Sequence, residues 1–394
     1  MTLSTTLLWL LCFAMIYLIF TSFILIRNRF ELTPILNENS DDLNNSKVKI
    51  SVCIPARNEE VNIGRLLDSI VTQKYNHFDV HVLDDQSEDR TFEIVQAYHD
   101  QYPDLIHLHR GEKKPSDWLG KPWACQQLGN YAKGQILLFL DADTTLKPNL
   151  ISSVSAAFTN YDIQMLTVWP EQILGTFWEK CVIPLVYYAL VTILPSIYVY
   201  RNPRWMPNWA ALKLRNSFAA ACGQCIAIKN KTYIAMGGHG SVKNRIVEDV
   251  ELARVLKSNG FNMRMFHGVN SISCRMYLNE KEMFNGFRKN FFTGFNHSLI
   301  LFIIAAVIHL IVFILPYLTL FYSLTTGYGA LFYLSIGSIG LVLLHRLILA
   351  LWFKWNPIYA FTHPLGVLWF QRLGLVSLMD LILGKKKEWK GRTL

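Results

Sequence analysis

Between residues 48 and 140 the apolar positions switch repeatedly between two periods. Val48, Ile50, Val52 and Ile54 alternate with polar or small residues, as in a half-buried strand. Ile63, Leu66, Leu67 and Ile70 then fall at helical spacing. The pattern continues with a predicted strand at Val80–Leu83, a helix over about 89–100, a strand at Leu105–Leu108 and a helix near 122–133. It closes on an unbroken apolar run, Ile136 to Leu140, with the length of a buried strand. Strands alternating with helices predict a parallel, doubly wound α/β domain. Residues 162–168 and 218–228 are candidates for later strands.

Outside this block the apolar runs lengthen. Thr6–Ile26 is uncharged over about 21 residues, enough to cross a bilayer. No basic stretch precedes it and no small-residue cleavage site follows, which predicts an uncleaved anchor. Arg27 and Arg29 come next and assign that end to the cytoplasm. Leu299–Leu324 and Leu331–Phe353 are each long enough to span. His345 and Arg346 interrupt the second, and Arg346 is expected to snorkel or to pair inside the bundle. Leu365–Leu383 contains Gln371, Arg372 and Asp380. A span there would put the basic tail outside, so an interfacial helix is expected.

Ile173 to Tyr200 is also apolar and aromatic. A crossing there would split one domain across the bilayer, and Pro184 and Pro195 interrupt the run. Helices in the interface are expected, with Trp178, Tyr187, Tyr188 and Tyr198 at head-group level. The expected organisation is an anchor at 1–29, a polar linker at 30–47, an α/β domain at 48–297, and membrane helices with a basic tail at 298–394.

Hydrophobic residues at 52% and charged residues at 17% exclude an ordinary soluble domain. The net charge of +9 would suit nucleic acid. Much of the excess lies beside membrane segments, however, as in Lys385-Lys386-Lys387-Glu388-Trp389-Lys390-Gly391-Arg392. Anionic lipid is the expected partner, and nucleic acid is not. Of seven cysteines only Cys222 and Cys225 have C-x-x-C spacing, with no second pair to complete a zinc site. Ordinary thiols in a reducing compartment are expected.

The apolar run at 136–140 ends in Asp141-Ala142-Asp143. Open α/β sheets bind ligands at the carboxyl ends of their strands. Alternate strand residues share a face, so the two carboxylates can converge. Such a pair suits a divalent cation, Mg²⁺ or Mn²⁺, holding a phosphate-bearing ligand. Asp84-Asp85-Gln86-Ser87 reaches the same mouth, where carboxylates accept from a base N–H or a ribose hydroxyl. Ser87 or Asp89 would serve equally as a helix cap.

Ile54-Pro55-Ala56-Arg57-Asn58-Glu59-Glu60 ends the first strand. Pro55, Ala56, Asn58 and Glu59 are placed to bracket a nucleotide. Pro55 as a strand terminator and Asn58 as a helix cap fit the same residues. In Trp118-Leu119-Gly120-Lys121-Pro122-Trp123-Ala124, Lys121 is suited to neutralise phosphate and the tryptophans to meet a sugar or lipid; packing is the other role. Glu248 and Asp249 open an apolar-periodic helix, where acids complement the dipole. A carboxylate there can also take a hydroxyl proton, and Asp249 is the best candidate. Gly237-Gly238-His239-Gly240 is a turn able to close over a ligand, with His239 expected to be structural. Arg288 is suited to stabilise a departing diphosphate, or to anchor the membrane edge beside Lys289.

In this order, over residues 48–297, these motifs resemble the family 2 glycosyltransferases, which carry the nucleotide-sugar-binding, Rossmann-like GT-A fold. The segments at 118–124 and 237–239 resemble the membrane-bound subgroup associated with carotenoid and hopanoid lipids. The resemblance implies that Asp85, with Asp84, contacts uracil or ribose and that Asp141 lies near the ribose. It implies that Asp143 binds a divalent metal bridging the diphosphate, and that Asp249 is the base of an inverting transfer. A UDP-sugar donor, a lipid acceptor from the bilayer (carotenoid, hopanoid, polyprenyl phosphate or glycerolipid) and a cytoplasmic catalytic domain on a multi-pass cell-membrane protein follow from it. Polymerising members carry Gln-x-x-Arg-Trp where this chain has Asn285-Gly286-Phe287-Arg288-Lys289. Only the arginine remains, which disfavours a polymer-type glycan synthase. A non-catalytic nucleotide-sugar-binding scaffold would keep Asp143 and tolerate loss of Asp249. A transporter would leave the acidic motifs unexplained.

Overall fold

The computed structural model describes residues 2–35, 48–201, 206–207, 209, 215–295, 298–385, 388–389 and 392–393. Most of the linker and half of the basic tail lie outside the described residues. The strands of the α/β domain are β1 (Ile50–Ala56), β2 (Phe78–Asp84), β3 (Ile106–Arg110), β4 (Ile136–Leu140), β5 (Thr144–Leu146), β6 (Met165–Trp169), β7 (Glu171–Gln172), β8 (Cys225–Lys229), β9 (Met263–His267) and β10 (Ile272–Cys274). The main sheet runs β3-β2-β1-β4-β8-β6-β9, and a small sheet β5-β10-β7 accompanies it.

The sheet is mixed, which corrects the parallel arrangement expected from the alternation of elements. β3, β2, β1 and β4 are parallel, but β8 runs antiparallel to both β4 and β6. The cause is the excursion between β7 and β8. The chain leaves β6 at the sheet mouth, passes through helix Phe177–Ile193, and re-enters from the same end. β8 therefore descends, and the turn before it is delivered to the mouth.

β4 is buried throughout, and its alternation sorts two cores. Leu137 and Phe139 pack with Ala124, Leu128, Tyr233 and Leu252 on one face. Ile136, Leu138 and Leu140 pack with Leu66, Ile70 and Val154 on the other. By the same alternation Asp141 continues the Leu137–Phe139 face, which helices Gly120–Tyr131 and Glu248–Ser258 cover.

Among the described residues, four helical segments are long and apolar enough to cross a membrane: Leu3–Glu31, Leu299–Thr326, Ala330–Trp352 and Pro357–Ile382. The second is broken at Ile314, just before Pro316. Trp9, Ile16, Phe20 and Phe23 stand exposed along the first, as a lipid-facing side requires. Asn28, wholly buried near its end, donates to the carbonyls of Val191 and Leu194 at 2.9 and 2.7 Å and accepts from Ser196 N at 2.8 Å. These bonds seat helix Phe177–Ile193 against the anchor.

That helix differs from the expectation in two ways. It continues through Pro184 and stops only before Pro195. Tyr187 and Tyr188 are interior residues rather than head-group anchors. The Tyr187 hydroxyl donates to Pro170 O at 2.7 Å, and the Tyr188 hydroxyl meets His345 Nδ1 at 3.1 Å. Arg346 pairs inside the protein rather than snorkelling, donating through Nη2 to Tyr359 O at 3.1 Å. At its 17 residues the helix lies between the α/β domain and the spans, so residues on both sides of it share one compartment. Single cysteines placed at Asn160 and Lys231, both exposed, are expected to label from the same membrane face. Labelling from opposite faces would overturn this topology.

Candidate active site

Two loops at the mouth are zipped together by hydrogen bonds. Asn58 N–H donates to Ser87 Oγ at 3.0 Å and Glu88 N–H to Asn58 Oδ1 at 2.8 Å. Glu59 N–H donates to Thr91 Oγ1 at 2.7 Å, and Arg57 Nη1 reaches the carbonyls of Asp85 and Gln86, each at 2.7 Å. Asn58 and Gln86 hold left-handed backbone at φ 53° and 56°. Such strain persists only where surrounding bonds over-determine it. Asn58 thus cross-links two loops and does not cap the next helix, whose N-cap is Asn62. Pro55 and Ala56 lie within β1 rather than beyond it, and Asp85 N–H donates to Ala56 O at 2.8 Å. Asp84 is buried and accepts from Ser87 N–H at 3.3 Å; Asp85 is buried beside it.

Across the mouth, Lys121 sits between two acids. Its Nζ lies 2.7 Å from Asp141 Oδ1 and 3.0 Å from Glu248 Oε1. Burial alone would depress the ammonium, but the two carboxylates outweigh it and hold Lys121 well above its ordinary value. Burial raises Asp141 in spite of Lys121. For Glu248 burial also raises, but Lys121 outweighs it and the carboxyl is lowered. Lys121 is therefore committed to carboxylates in this state.

Asp249 differs from its neighbour. Its Oδ2 accepts Gly223 N–H at 2.8 Å and its Oδ1 accepts Val250 N–H at 2.8 Å. Burial, and next the charge of Glu248, push it up to about 7. Of the two acids, Asp249 is the stronger base near neutral pH, since Glu248 is held ionised by an ammonium. Gly223 belongs to the turn that descending β8 brings to the mouth. A Cβ there would stand 3.2 Å from Asp249 Oδ2 and 3.3 Å from Lys121 Nζ. Nothing in the sequence marks Gly223, which lies in the candidate strand 218–228 between two cysteines expected to be ordinary thiols.

Asp143 lies on the other side of Asp141. The Cys274 thiol hydrogen-bonds its carboxylate, yet Oδ1 is buried without a hydrogen-bond partner. Burial, then the charges of Asp141 and Glu59, push it up to about 7. A buried oxygen without a donor among gathered negative charge fits a cation. Among the described residues no cluster of three or more His, Cys, Asp or Glu side chains could hold a metal by itself. The arrangement matches an ion carried by one or two carboxylates and completed by ligand phosphates.

Two expected participants sit elsewhere. Arg288 forms an ion pair with Asp380 on the last long helix rather than with the acidic cluster. The glycine turn is not an open flap, because Gly238 and His239 are buried in a 3₁₀ turn. His239 Nδ1 meets the Tyr233 hydroxyl at 2.8 Å, and burial pushes its imidazole down to about 4, a neutral structural histidine.

Residues 51–185 match the family described as Glycosyl transferase family 2. The chain is also 27% identical over 360 residues, 89% of each partner, to 4,4'-diaponeurosporenoate glycosyltransferase of Staphylococcus aureus strain MRSA252. Both findings relate the chain to glycosyl transferase family 2, through a family match over residues 51–185 and a distant relative. The USA300 form of the same relative is 26% identical over the same 89%. A mannosyltransferase from Pyrobaculum calidifontis, solved with GDP-Man and Mn²⁺, superposes with a TM-score of 0.51 at 16% identity. That comparison covers 92% of this chain and 99% of the other, and it shows the GT-A-like fold of the glycosyltransferase domain.

Proposed function

We propose that this glycosyltransferase is a cell-membrane protein that moves a sugar, with inversion, from a UDP-sugar to a lipid acceptor. The observation that carries the reading is the pair of raised carboxyls on either side of Asp141. Asp143 suits the diphosphate and Asp249 suits the acceptor. Asp84, Asp85 and the 55–59 backbone would receive the nucleoside. Asp143 would hold a divalent cation, which when bound offsets charge on the leaving diphosphate. For an acceptor that attacks through a hydroxyl, Asp249 would take that proton as the new bond to the anomeric carbon forms and the diphosphate leaves; an ionised carboxylate or phosphate acceptor would attack without it. The four long apolar segments support delivery of the acceptor from the bilayer, and Arg27 and Arg29 after the first of them favour a cytoplasmic domain. The distant relationship to a carotenoid glycosyltransferase places carotenoid acids among the acceptors to try first, beside hopanoids, polyprenyl phosphates and glycerolipids.

The test compares lipid extracts by mass from cells with and without the gene. It is joined to transfer from labelled UDP-sugars by the purified full chain. A hexose-shifted lipid is the expected product; its absence with every donor would remove the reading. A pH profile gives a second check. A base must be deprotonated, so the acid limb of transfer is expected to rise through about pH 7 and level off above it. A rate flat from pH 5 to pH 8 would exclude Asp249 as the titrating base.

A further inference from the structure

A second cavity, of about 220 Å³, lies where the glycosyltransferase domain meets the membrane helices. Its walls come from Gln172 of β7, Lys180 and Pro184 of helix Phe177–Ile193, Arg346 of helix Ala330–Trp352, and Lys354 and Tyr359 just beyond that helix. Three cations face it against the single acid Glu171. Arg346 is only 3% exposed and no carboxylate pairs with it among the described residues. Nη2 donates to Tyr359 O, but Nη1 is buried without a hydrogen-bond partner. A buried guanidinium left so is costly and, at membrane depth, ordinarily marks a functional site.

Gln172, also 3% exposed, has its Oε1 likewise unpartnered. Its Nε2 donates to Gln224 Oε1 at 2.9 Å, and Gln224 Nε2 in turn reaches Cys274 Sγ at 2.8 Å, beside Asp143. A relay of three contacts thus connects the cavity wall to Asp143. Leu351, Ile358 and Phe361, each next in sequence to a lining residue, are exposed apolar residues that suit an acyl or isoprenoid chain. The volume suits a head group rather than a whole amphiphile.

We propose that this cavity binds the oxyanion head group, carboxylate or phosphate, of a membrane amphiphile. Arg346 provides the charge-assisted donors, and Lys180 and Lys354 stand at the rim. The inference rests on the lipid-acceptor reading above and narrows the acceptor to an amphiphile that carries an oxyanion at Arg346 besides the hydroxyl that attacks.

The full chain in neutral maltoside detergent is titrated with dodecyl phosphate, dodecanoate, dodecanol and inorganic phosphate. Both acidic amphiphiles are expected to bind at least about tenfold more tightly than dodecanol, the scale of a hydrogen bond to a charged group. Inorganic phosphate is expected to bind weakly; equal affinity would reassign the site to a soluble anion and overturn the lipid source. Arg346→Met keeps apolar bulk and is expected to erase the preference for acidic head groups, with UDP binding by calorimetry unchanged. Lys180→Gln with Lys354→Gln, on more accessible residues, is expected to weaken the preference in the same direction and covers a folding failure of the first variant. An undiminished preference in a folded Arg346→Met protein, or in the double variant if the first does not fold, overturns the inference. Loss of UDP binding in the wild type would instead strike the enzymatic reading, and transfer to a neutral lipid without oxyanion preference would strike this inference alone.

Discussion

Asp249→Asn is expected to lower transfer to lipid by about 10²–10⁴-fold while UDP-sugar binding stays near normal. That range corresponds to about 3–5 kcal/mol of transition-state stabilisation. The asparagine keeps the size of the side chain, and its amide oxygen can still accept from Gly223 N–H, where Asp249 now receives a 2.8 Å bond. What it loses is basicity, which matters only as the acceptor proton leaves. Turnover should fall far more than donor affinity. At saturating metal and donor, where Asp143 no longer limits, the acid limb of the pH profile should vanish with it, because the carboxyl raised by burial and Glu248 is then gone. Transfer at the wild-type rate would place the base elsewhere. Glu248 would be next in line, although Lys121 at 3.0 Å makes it the weaker base.

Asp143→Ala is expected to abolish metal-dependent UDP-sugar binding and to leave the fold intact. The buried Oδ1 without a hydrogen-bond partner contributes little to the apo protein, and burial beside Asp141 and Glu59 works against its ionisation. Removing it should leave the melting temperature of the metal-free protein unchanged or higher. In the wild type Mn²⁺ with UDP should raise that temperature, since a ligand that binds only the native state stabilises it. In Asp143→Ala the rise should disappear. Calorimetry showing undiminished metal-dependent binding would remove Asp143 from the site.

Much of this is legible in one dimension because local periodicity records which face of an element must be buried. The run Ile136–Leu140 could only be an interior strand, and the abrupt change to Asp141-Ala142-Asp143 marked its mouth. The same logic located β1, β2 and the helix between them within a few residues, and it marked three of the four long apolar helices. Asp249 was legible as an acid opening a helix.

Periodicity does not say what covers a face, and that part waited for the fold. Whether β8 ascends or descends depends on where the excursion through Phe177–Ile193 re-enters the sheet, which no local pattern encodes. Only because it descends does Gly223 meet Asp249, and only the shared face of β4 brings Lys121 between Asp141 and Glu248. Charge partners are equally invisible in sequence. Arg288 looked free to meet a diphosphate until Asp380 was packed against it, and Tyr187 and Tyr188 looked like interface anchors until their hydroxyls found interior partners. The sequence by its residue types assigned the chemistry of transfer. The pKa ordering that favours Asp249 over Glu248 as the proposed base comes from desolvation and from one ammonium placed nearer to one acid than to the other, and both are properties of the packed tertiary structure alone.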